Sequence, residues 1–278
     1  MKKLLLITDG WHPQVSGMVT ALEKTTKLLK KRGFSVTVVH PGLCQNVPMP
    51  LNKEYRMGLF PKKLIERMIE EEKPDYIHIA SEGPLGFTAR LICQKRKLRF
   101  TTSYHTHFHL YFKSRIKCLE GTVFSFIRWF HSAAAQTMVA TKSLKRELES
   151  HGFKNTVLWP LGVDTELFSY QQKTSKSAYP RPVFLYLGRL APEKNIEKFL
   201  SLSLPGTKLV IGDGPSRKRL EAKYTKNTIF VGYKQGKELS ELLKQGDVLV
   251  FPSMTDTFGL VALEALACGI PVAAHKVM

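Results

Sequence analysis

Cysteine is scarce in this chain and long apolar runs are absent, which excludes two large classes of protein at the outset. The four cysteines among 278 residues, Cys44, Cys93, Cys118 and Cys268, lie far apart. They show neither the density of a disulfide-stapled domain nor the paired spacing of a zinc site. A reducing, cytoplasmic compartment fits that usage. No apolar run approaches the roughly 18 residues that a membrane-spanning helix needs, and near the N-terminus only Leu4–Ile7 separate Lys3 from Thr8 and Asp9. So short a run does not make the core of a secretory signal and suits a buried first strand. Internal repeats, low-complexity tracts and long like-charged blocks are missing as well, which removes solenoid and disordered readings.

Acidic residues are the other shortage. Against 42 Lys+Arg the chain carries 23 Asp+Glu, a formal net charge of +19. The excess runs through both halves: residues 1–170 hold 26 basic and 14 acidic side chains, and residues 171–278 hold 16 and 9. Such a surplus favours an anionic partner, whether a phosphorylated ligand, an acidic membrane surface or nucleic acid. No nucleic-acid-binding motif accompanies it, so nucleic acid is not expected among the partners.

What is present is enough apolar material, 43% of residues, to fill more than one core. At roughly 150 residues per domain the length predicts two. Apolar β-rich runs at Leu4–Thr8, Val36–Val39, Tyr76–Ile79, Phe100–Ser103 and Thr137–Val139 alternate with helix-length amphipathic stretches at Gly17–Arg32, Pro61–Glu72, Pro84–Lys97, Arg115–His131 and Lys142–His151. That alternation is the pattern of a parallel sheet wound with helices. After Pro160 it lapses into the polar stretch Ser169–Pro180, and it restarts with strands at Val183–Leu187, Lys208–Ile211, Ile229–Val231, Val248–Phe251 and Pro271–Ala273. The expected organisation is therefore one α/β domain at 1–168, a linker at 169–182 and a second α/β domain at 183–278. Two such domains imply a cleft, and ligands of open α/β sheets sit beyond the carboxyl ends of strands.

Three motifs fall at those ends. Gly188-Arg189, followed by Lys194, places a guanidinium and an ammonium between a strand and a helix start. Arg can fork two phosphate oxygens while Lys supplies a compact charge, so the pair suits a diphosphate; an ordinary turn with two solvated cations is the bland alternative. Gly212-Asp213-Gly214 ends the next strand, either admitting a ligand close to the backbone or simply making a turn. The third segment runs from Asp256 through Phe258, Gly259 and Leu260 to Glu264 and Pro271. Asp256 precedes a helix and is either a cap or a ligand contact. Glu264 shares a helical face with Leu260, Val261, Ala267 and Cys268, so its carboxylate meets apolar surroundings and needs a hydrogen-bonding partner, which a ligand hydroxyl supplies. Gly259 near the helix start offers backbone N–H groups to an anion.

Together these residues resemble the family 4 glycosyltransferases, whose fold of two Rossmann-like domains facing across a cleft is called GT-B. The family motif of an acidic residue, seven residues, then Glu, with Ala-x-Ala-x-Gly-x-Pro following, reads here as Asp256, Glu264, Ala265, Ala267, Gly269 and Pro271. At the other end, Asp9–Gly17 resembles the family's glycine loop. Glu82-Gly-Pro-Leu-Gly86 and Ser103-Tyr-His105 resemble its lipid-related mannosyl-, glucosyl- and sulfoquinovosyltransferase branch. The resemblance implies a retaining, metal-independent transfer of a hexose from a nucleotide-diphosphate sugar to a lipid or glycan acceptor, with the first domain on the acceptor side. No cofactor is implied beyond the nucleotide-sugar co-substrate. Arg189 and Lys194 would hold the donor diphosphate, Glu264 the ribose, and Asp256 with the backbone of Phe258, Gly259 and Leu260 the transferred sugar and phosphates. Gly188, Gly212, Asp213 and Gly214 would line the donor site, Gly17 would approach the donor, and His105 would lie near the reacting centre.

Two departures accompany the resemblance. Asp256 stands where the family usually has Glu, and the sequence ends soon after Pro271–Ala273, so an incomplete second domain is expected. Two further readings compete at particular segments. His105, His107 and His109 would face one way along a strand as metal ligands, although no carboxylate or cysteine pattern completes the set. Tyr111–His131 interleaves Lys and Arg with Phe and Trp, which suits either an anionic bilayer at the inner membrane face or a buried helix with charged ends. The alternative for the whole chain is a catalytically impaired, truncated homologue that binds membranes or polyanions through its basic surface.

Overall fold

Each apolar β-rich run of the sequence forms a parallel strand. A computed structural model describes residues 1–14, 16–49, 52–105, 120–170, 178–254 and 256–275. They form two units that divide between Pro160 and Leu161. In the first unit the strands β1 (Lys3–Ile7), β2 (Ser35–Val39), β5 (Tyr76–Ile79), β6 (Thr101–Tyr104), β7 (Gln136–Val139) and β8 (Thr156–Leu158) make one sheet in the order β2-β1-β5-β6-β7-β8. Every pairing in it is parallel. The intervening helices are α1 (Gly17–Lys31), α2 (Lys62–Glu72), α3 (Pro84–Lys95), α4 (Glu120–Ser132) and α5 (Lys142–Ser150). An antiparallel hairpin of β3 (Asn46–Met49) and β4 (Asn52–Gly58) is inserted before α2.

Period-two alternation explains how β1 serves two cores. Leu5 and Ile7 join Ile65, Ile77, Ile79, Leu85 and Phe130 on one face, while Leu6 packs with Leu22, Val36 and Ala80 on the other. Helix punctuation follows the residues expected to supply it. The Ser16 hydroxyl accepts the Val19 N–H at the start of α1, and Pro84 takes the first position of α3. Gly33 and Gly152 follow α1 and α5 with φ of +82° and +86°, a left-handed conformation that favours glycine. Residues 106–119, with His107, His109, Cys118 and the start of the expected Arg115–His131 helix, lie outside the described residues. So does 171–177, within the expected linker.

The second unit repeats the architecture. Strands β9 (Val183–Leu187), β10 (Thr207–Ile211), β11 (Thr228–Gly232), β12 (Val248–Phe251) and β13 (Val272–Ala274) form an all-parallel sheet in the order β11-β10-β9-β12-β13. Its helices are α6 (Ile196–Leu200), α7 (Arg217–Lys223), α8 (Gly236–Lys244) and α9 (Leu260–Ala267). One face carries Val183, Leu185, Leu209, Leu249 and Ala265; the other carries Tyr186, Val210, Phe199 and Leu220. Residues 161–168, placed by the sequence reading at the end of the first domain, pack here: Phe168 is buried in this core and Ser240 Oγ donates to the Leu167 carbonyl at 2.6 Å. Apolar burial draws that segment across the polar boundary read from composition.

Candidate active site

Both sheets reverse their strand order, and open α/β sheets take ligands in the crevice beyond the carboxyl ends at such a reversal. In the first unit the reversal falls between β1 and β5; in the second it falls between β9 and β12.

Asp9 follows β1 and points at the helix that follows β5. Its Oδ1 accepts the Leu85 N–H at 2.8 Å, and its Oδ2 accepts the Gly86 N–H at 3.2 Å and the Ser81 hydroxyl at 2.8 Å. The carboxylate thus serves the orphan amides at the start of α3. Burial nevertheless pushes its pKa upward, against those three hydrogen bonds. A Cβ on Gly83 would lie 2.4 Å from Asp9 Cγ, and one on Gly86 would lie 1.8 Å from the Ser81 carbonyl oxygen. The Glu82-Gly-Pro-Leu-Gly86 motif is therefore fixed by close packing in which Glu82 takes a separate part. Its Oε1 meets His131 Nε2 at 3.0 Å with both side chains buried, and His131 Nδ1 meets Thr102 Oγ1 at 2.8 Å.

His105 leaves β6 beside a second histidine that the sequence reading did not single out. Ser103 Oγ stands 2.8 Å from His105 Nε2 and 3.1 Å from His78 Nε2. Trp159 meets both rings edge-on, at centroid distances of 6.3 Å and 6.0 Å. Burial, with nearby imidazoles second, lowers His78 to about 3 and His105 to about 4, so both rings are neutral at ordinary pH. Gly17, expected to approach a ligand, is exposed and opens α1 behind its Ser16 cap.

On the outer surface of the first unit, α3 and α4 expose Phe87, Leu91, Phe126 and Trp129 at 36%, 43%, 40% and 42%. Phe87 stacks on Phe126 at 6.3 Å, and Arg90 lies 3.6 Å from the Trp129 ring centroid. Three exposed aromatic side chains in mutual ring contact, with the exposed Leu91 on the same helix as Phe87, form a patch of the kind that marks an interaction surface.

In the second unit the loops after β9 and β12 bring together residues that the sequence separates. Lys194 ends a short 3-10 turn (Pro192–Lys194), and its Nζ donates to Asp256 Oδ1 at 2.7 Å, each side chain about one quarter exposed. Asp256 is not the cap of α9: that position belongs to Gly259, at φ +78°, and no side chain caps the helix. Asp256 Oδ2 and the hydroxyl of Ser253, itself 3% exposed, are buried with no hydrogen-bond partner. Buried oxygens left without a donor cost stability, and one of these two belongs to the ion pair itself.

Arg189 is set by its neighbours. Tyr186 is buried beneath it, and the Tyr186 hydroxyl donates to the Arg189 carbonyl at 2.9 Å. Burial, followed by the charges of Asp256 and Glu193, raises the Tyr186 pKa, which keeps that hydroxyl a donor. The glycines at 212 and 214 serve the same turn. A Cβ on Gly212, at φ +141°, would lie 2.0 Å from the Gly188 carbonyl oxygen, and one on Gly214 would lie 2.6 Å from the Leu190 carbonyl oxygen. The close backbone approach expected of a ligand there is made by the neighbouring loop. Asp213 pairs with Arg217 at 2.8 Å and accepts the Gly214 N–H at 2.7 Å, a turn role. Phe258 and Leu260 are half-buried, and Glu264 is buried at 7% exposure, on a helix whose Ala265 and Cys268 join the core. Gly269, at φ +75°, ends that helix; the next residue, Ile270, returns its N–H to Ala265.

Among the described residues, no three His, Cys, Asp or Glu side chains come together as a metal set, and no helix is long and apolar enough to cross a membrane. Of the residues missed in the sequence, His78 and Tyr186 carry one shared signal, a polar atom inside an otherwise apolar strand, while Ser253, in the turn after β12, carries none.

A family model described as Glycosyltransferase Family 4 matches residues 15–167, and one described as Glycosyl transferases group 1 matches residues 168–278. A sulfoquinovosyl transferase of Arabidopsis thaliana is 32% identical over 98% of this chain, which spans 59% of that relative's length. A GDP-mannose-dependent alpha-mannosyltransferase of Mycobacterium tuberculosis is 25% identical, covering 98% of this chain and 78% of its own. A sucrose-phosphate synthase structure from Thermosynechococcus elongatus superposes with a TM-score of 0.76 at 18% identity, over 100% of this chain and 82% of the other.

Proposed function

The chain belongs to glycosyltransferase family 4, and on that footing we propose that it moves a hexose of the mannose or glucose type from a nucleotide-diphosphate sugar to a lipid or glycan acceptor, with retention and without a metal ion. The observation that carries the reading is the second unit's switch point. There the loop after β9 supplies Arg189 and Lys194, the loop after the adjacent β12 supplies Ser253 and Asp256, Lys194 pairs with Asp256, and Asp256 Oδ2 and the Ser253 hydroxyl are buried without a hydrogen-bond partner. A diphosphate arriving beside Lys194 competes with Asp256 for its ammonium. Arg189 adds a planar fork for phosphate oxygens, so the charge of the departing nucleoside diphosphate is neutralised by the chain itself. Glu264 accepts ribose hydroxyls, and Asp256, released from Lys194, accepts a hydroxyl of the transferred sugar. The bond from the anomeric carbon to phosphate oxygen breaks as the acceptor oxygen joins the same face. The acceptor proton passes to the leaving phosphate oxygen, which keeps the anomeric configuration and requires no protein base. By the resemblance to the family, His105 would lie near the reacting centre.

The exposed patch of Phe87, Leu91, Phe126 and Trp129 supports a second element of the reading, contact with an anionic membrane from which a lipid acceptor is drawn. Cys44, Cys93 and Cys268 are free thiols, in keeping with the cytoplasmic face.

Screening nucleotide sugars for thermal stabilisation identifies the donor, since a ligand bound only by the folded state raises Tm. Saturable binding is expected, lost in Arg189→Ala and in Glu264→Ala, with transfer persisting in chelator. Unchanged donor binding in both variants defeats the site assignment, and a strict divalent-metal requirement defeats the mechanism. Salt-sensitive polyanion binding without donor binding favours the impaired homologue instead.

A further inference from the structure

Glu82 opens a motif to which the proposed function gives no task, and its carboxyl group ends a line of polar side chains that lies wholly within the first unit. Glu82 Oε1 meets His131 Nε2 at 3.0 Å, and His131 Nδ1 meets Thr102 Oγ1 at 2.8 Å. Thr102 and Thr137 are partners in the β6–β7 register, with their hydroxyls 3.1 Å apart, and Thr137 Oγ1 reaches Asn155 Oδ1 at 3.3 Å. The side chains of Glu82 and His131 are buried, as are Thr102 and Thr137.

The far end of the line fixes every proton in it. Asn155 Nδ2 donates to the carbonyls of His131 at 3.0 Å and Ala134 at 2.7 Å, which turns Oδ1, an acceptor only, towards Thr137. Thr137 commits its one hydroxyl proton to Asn155 and so accepts from Thr102. Thr102 commits its own to Thr137 and so accepts from His131, which places a proton on Nδ1. Nε2 and Glu82 Oε1 must then share one further proton, as imidazolium with carboxylate or as imidazole with carboxylic acid. A free carboxylic acid gives up its proton more readily than a free imidazolium by about two pKa units. The nitrogen therefore keeps the proton, and each buried charge is compensated by the other.

We propose that Glu82 and His131 form a buried carboxylate–imidazolium clamp, held in that state by Thr102, Thr137 and Asn155, that pins the turn at the start of α3 to the last turn of α4. Asp9 ties the same turn to the end of β1 through the Leu85 and Gly86 N–H groups. Farther along α3, Arg90 donates from Nε to the Phe130 carbonyl and from Nη2 to the Trp129 carbonyl, both at 2.9 Å. Two cations thus join α3 to α4, and of the two only the imidazolium can lose its charge. Removing its second proton leaves either Glu82 facing a bare nitrogen or Asn155 Oδ1 without a donor, so the clamp or the line behind it opens. The other ionisable groups that act on the pair or feel it are Asp9 beyond β1, His78 on β5, Tyr104 and His105 at the end of β6, and Arg90 on α3.

Nitrogen-15 spectra of the histidine-labelled full chain read the state of each ring. At pH 7 His131 is expected to carry protons on both nitrogens. In Glu82→Gln, whose amide can donate to Nε2, it should become a neutral Nδ1–H imidazole. In Thr137→Val, where Thr102 is free to donate to Nδ1, it should become a neutral Nε2–H imidazole, and Thr137→Ser should restore the imidazolium. The clamp itself is read by amide hydrogen exchange: Leu85 and Gly86 should exchange roughly 10- to 100-fold faster in Glu82→Ala, the loss expected for a charged hydrogen bond, while β9 and β10 of the second unit keep their wild-type protection. A neutral His131 in the wild type, or an imidazolium that survives Thr137→Val, overturns the proton assignment. Unchanged exchange at Leu85 and Gly86 in Glu82→Ala overturns the clamp, and neither result bears on the donor assignments at Arg189 and Glu264.

Discussion

The Lys194–Asp256 contact joins two residues that the motif assigns to different parts of a ligand, and in the ligand-free chain they neutralise one another. Being about one quarter exposed, the pair contributes little to stability; on the proposed function it would hold the ammonium in place until phosphate arrives. Asp256→Asn separates these roles. It should bind free nucleoside diphosphate at least as tightly as the wild type by calorimetry, because Lys194 no longer has to leave a carboxylate. Transfer should fall by roughly 100-fold, because the sugar loses a charged acceptor. Weaker nucleotide binding in this variant would mean that Asp256 holds Lys194 in its productive position rather than competing for it. Ser253 calls for the opposite comparison. Replacing an unserved buried hydroxyl by Ala should leave the ligand-free Tm unchanged or raise it, while donor affinity drops by about 0.5–1.5 kcal/mol. A fall in ligand-free Tm would place Ser253 among structural residues. Neither relation is legible in the sequence, since Lys194 and Asp256 lie far apart along the chain and Ser253 looks like any turn serine.

At the scale of elements the sequence is far more transparent. The runs Tyr76–Ile79, Val183–Leu187 and Val248–Phe251 are strands with the expected limits, because apolar alternation and β-branching act locally. What escapes is set by pairing. The β3–β4 hairpin contains Pro48 and polar residues, and β8 spans only Thr156–Leu158, so each owes its conformation to a partner strand. The His78–Ser103–His105 row likewise exists only through register. It carries a pH signature: both histidines have folded pKa values below the unfolded 6.5, so the unfolded chain binds more protons as pH falls. Stability is therefore full above about 6.5 and is lost progressively on acidification towards the folded values. His78→Gln should remove about 2 kcal/mol of the loss between pH 7 and pH 5 in urea unfolding; an unaltered slope would place the acid sensitivity elsewhere. The glycine loops offer a second test at this scale. Gly212→Ala puts a methyl group into the Gly188 carbonyl at a strained φ. It should destabilise the second unit by more than about 2 kcal/mol and weaken nucleotide binding by displacing the Gly188 carbonyl next to Arg189.

For the molecule as a whole, net charge is the property that the fold leaves unexplained, since the excess of +19 is spread over both units and exceeds what one diphosphate requires. On the proposed function two kinds of anion would account for it, and salt tells them apart. Exposed charges acting on a membrane surface are screened over about 10 Å at 0.1 M salt and about 3 Å at 1 M. Charges that are partly buried and in direct hydrogen-bonded contact with phosphate are screened much less. Binding to vesicles containing anionic lipid should therefore fall steeply as salt rises, and Phe126→Ser with Trp129→Ser should weaken what remains, because the exposed aromatic patch supplies an apolar term that salt does not screen. Donor binding at Arg189 and Lys194, followed in the same salt series by calorimetry, should decline far less and be indifferent to the aromatic substitutions. Parallel loss of both activities would instead show that the surplus charge acts as one diffuse polyanion-binding surface, the behaviour expected of a homologue whose basic face has outlived its transfer chemistry.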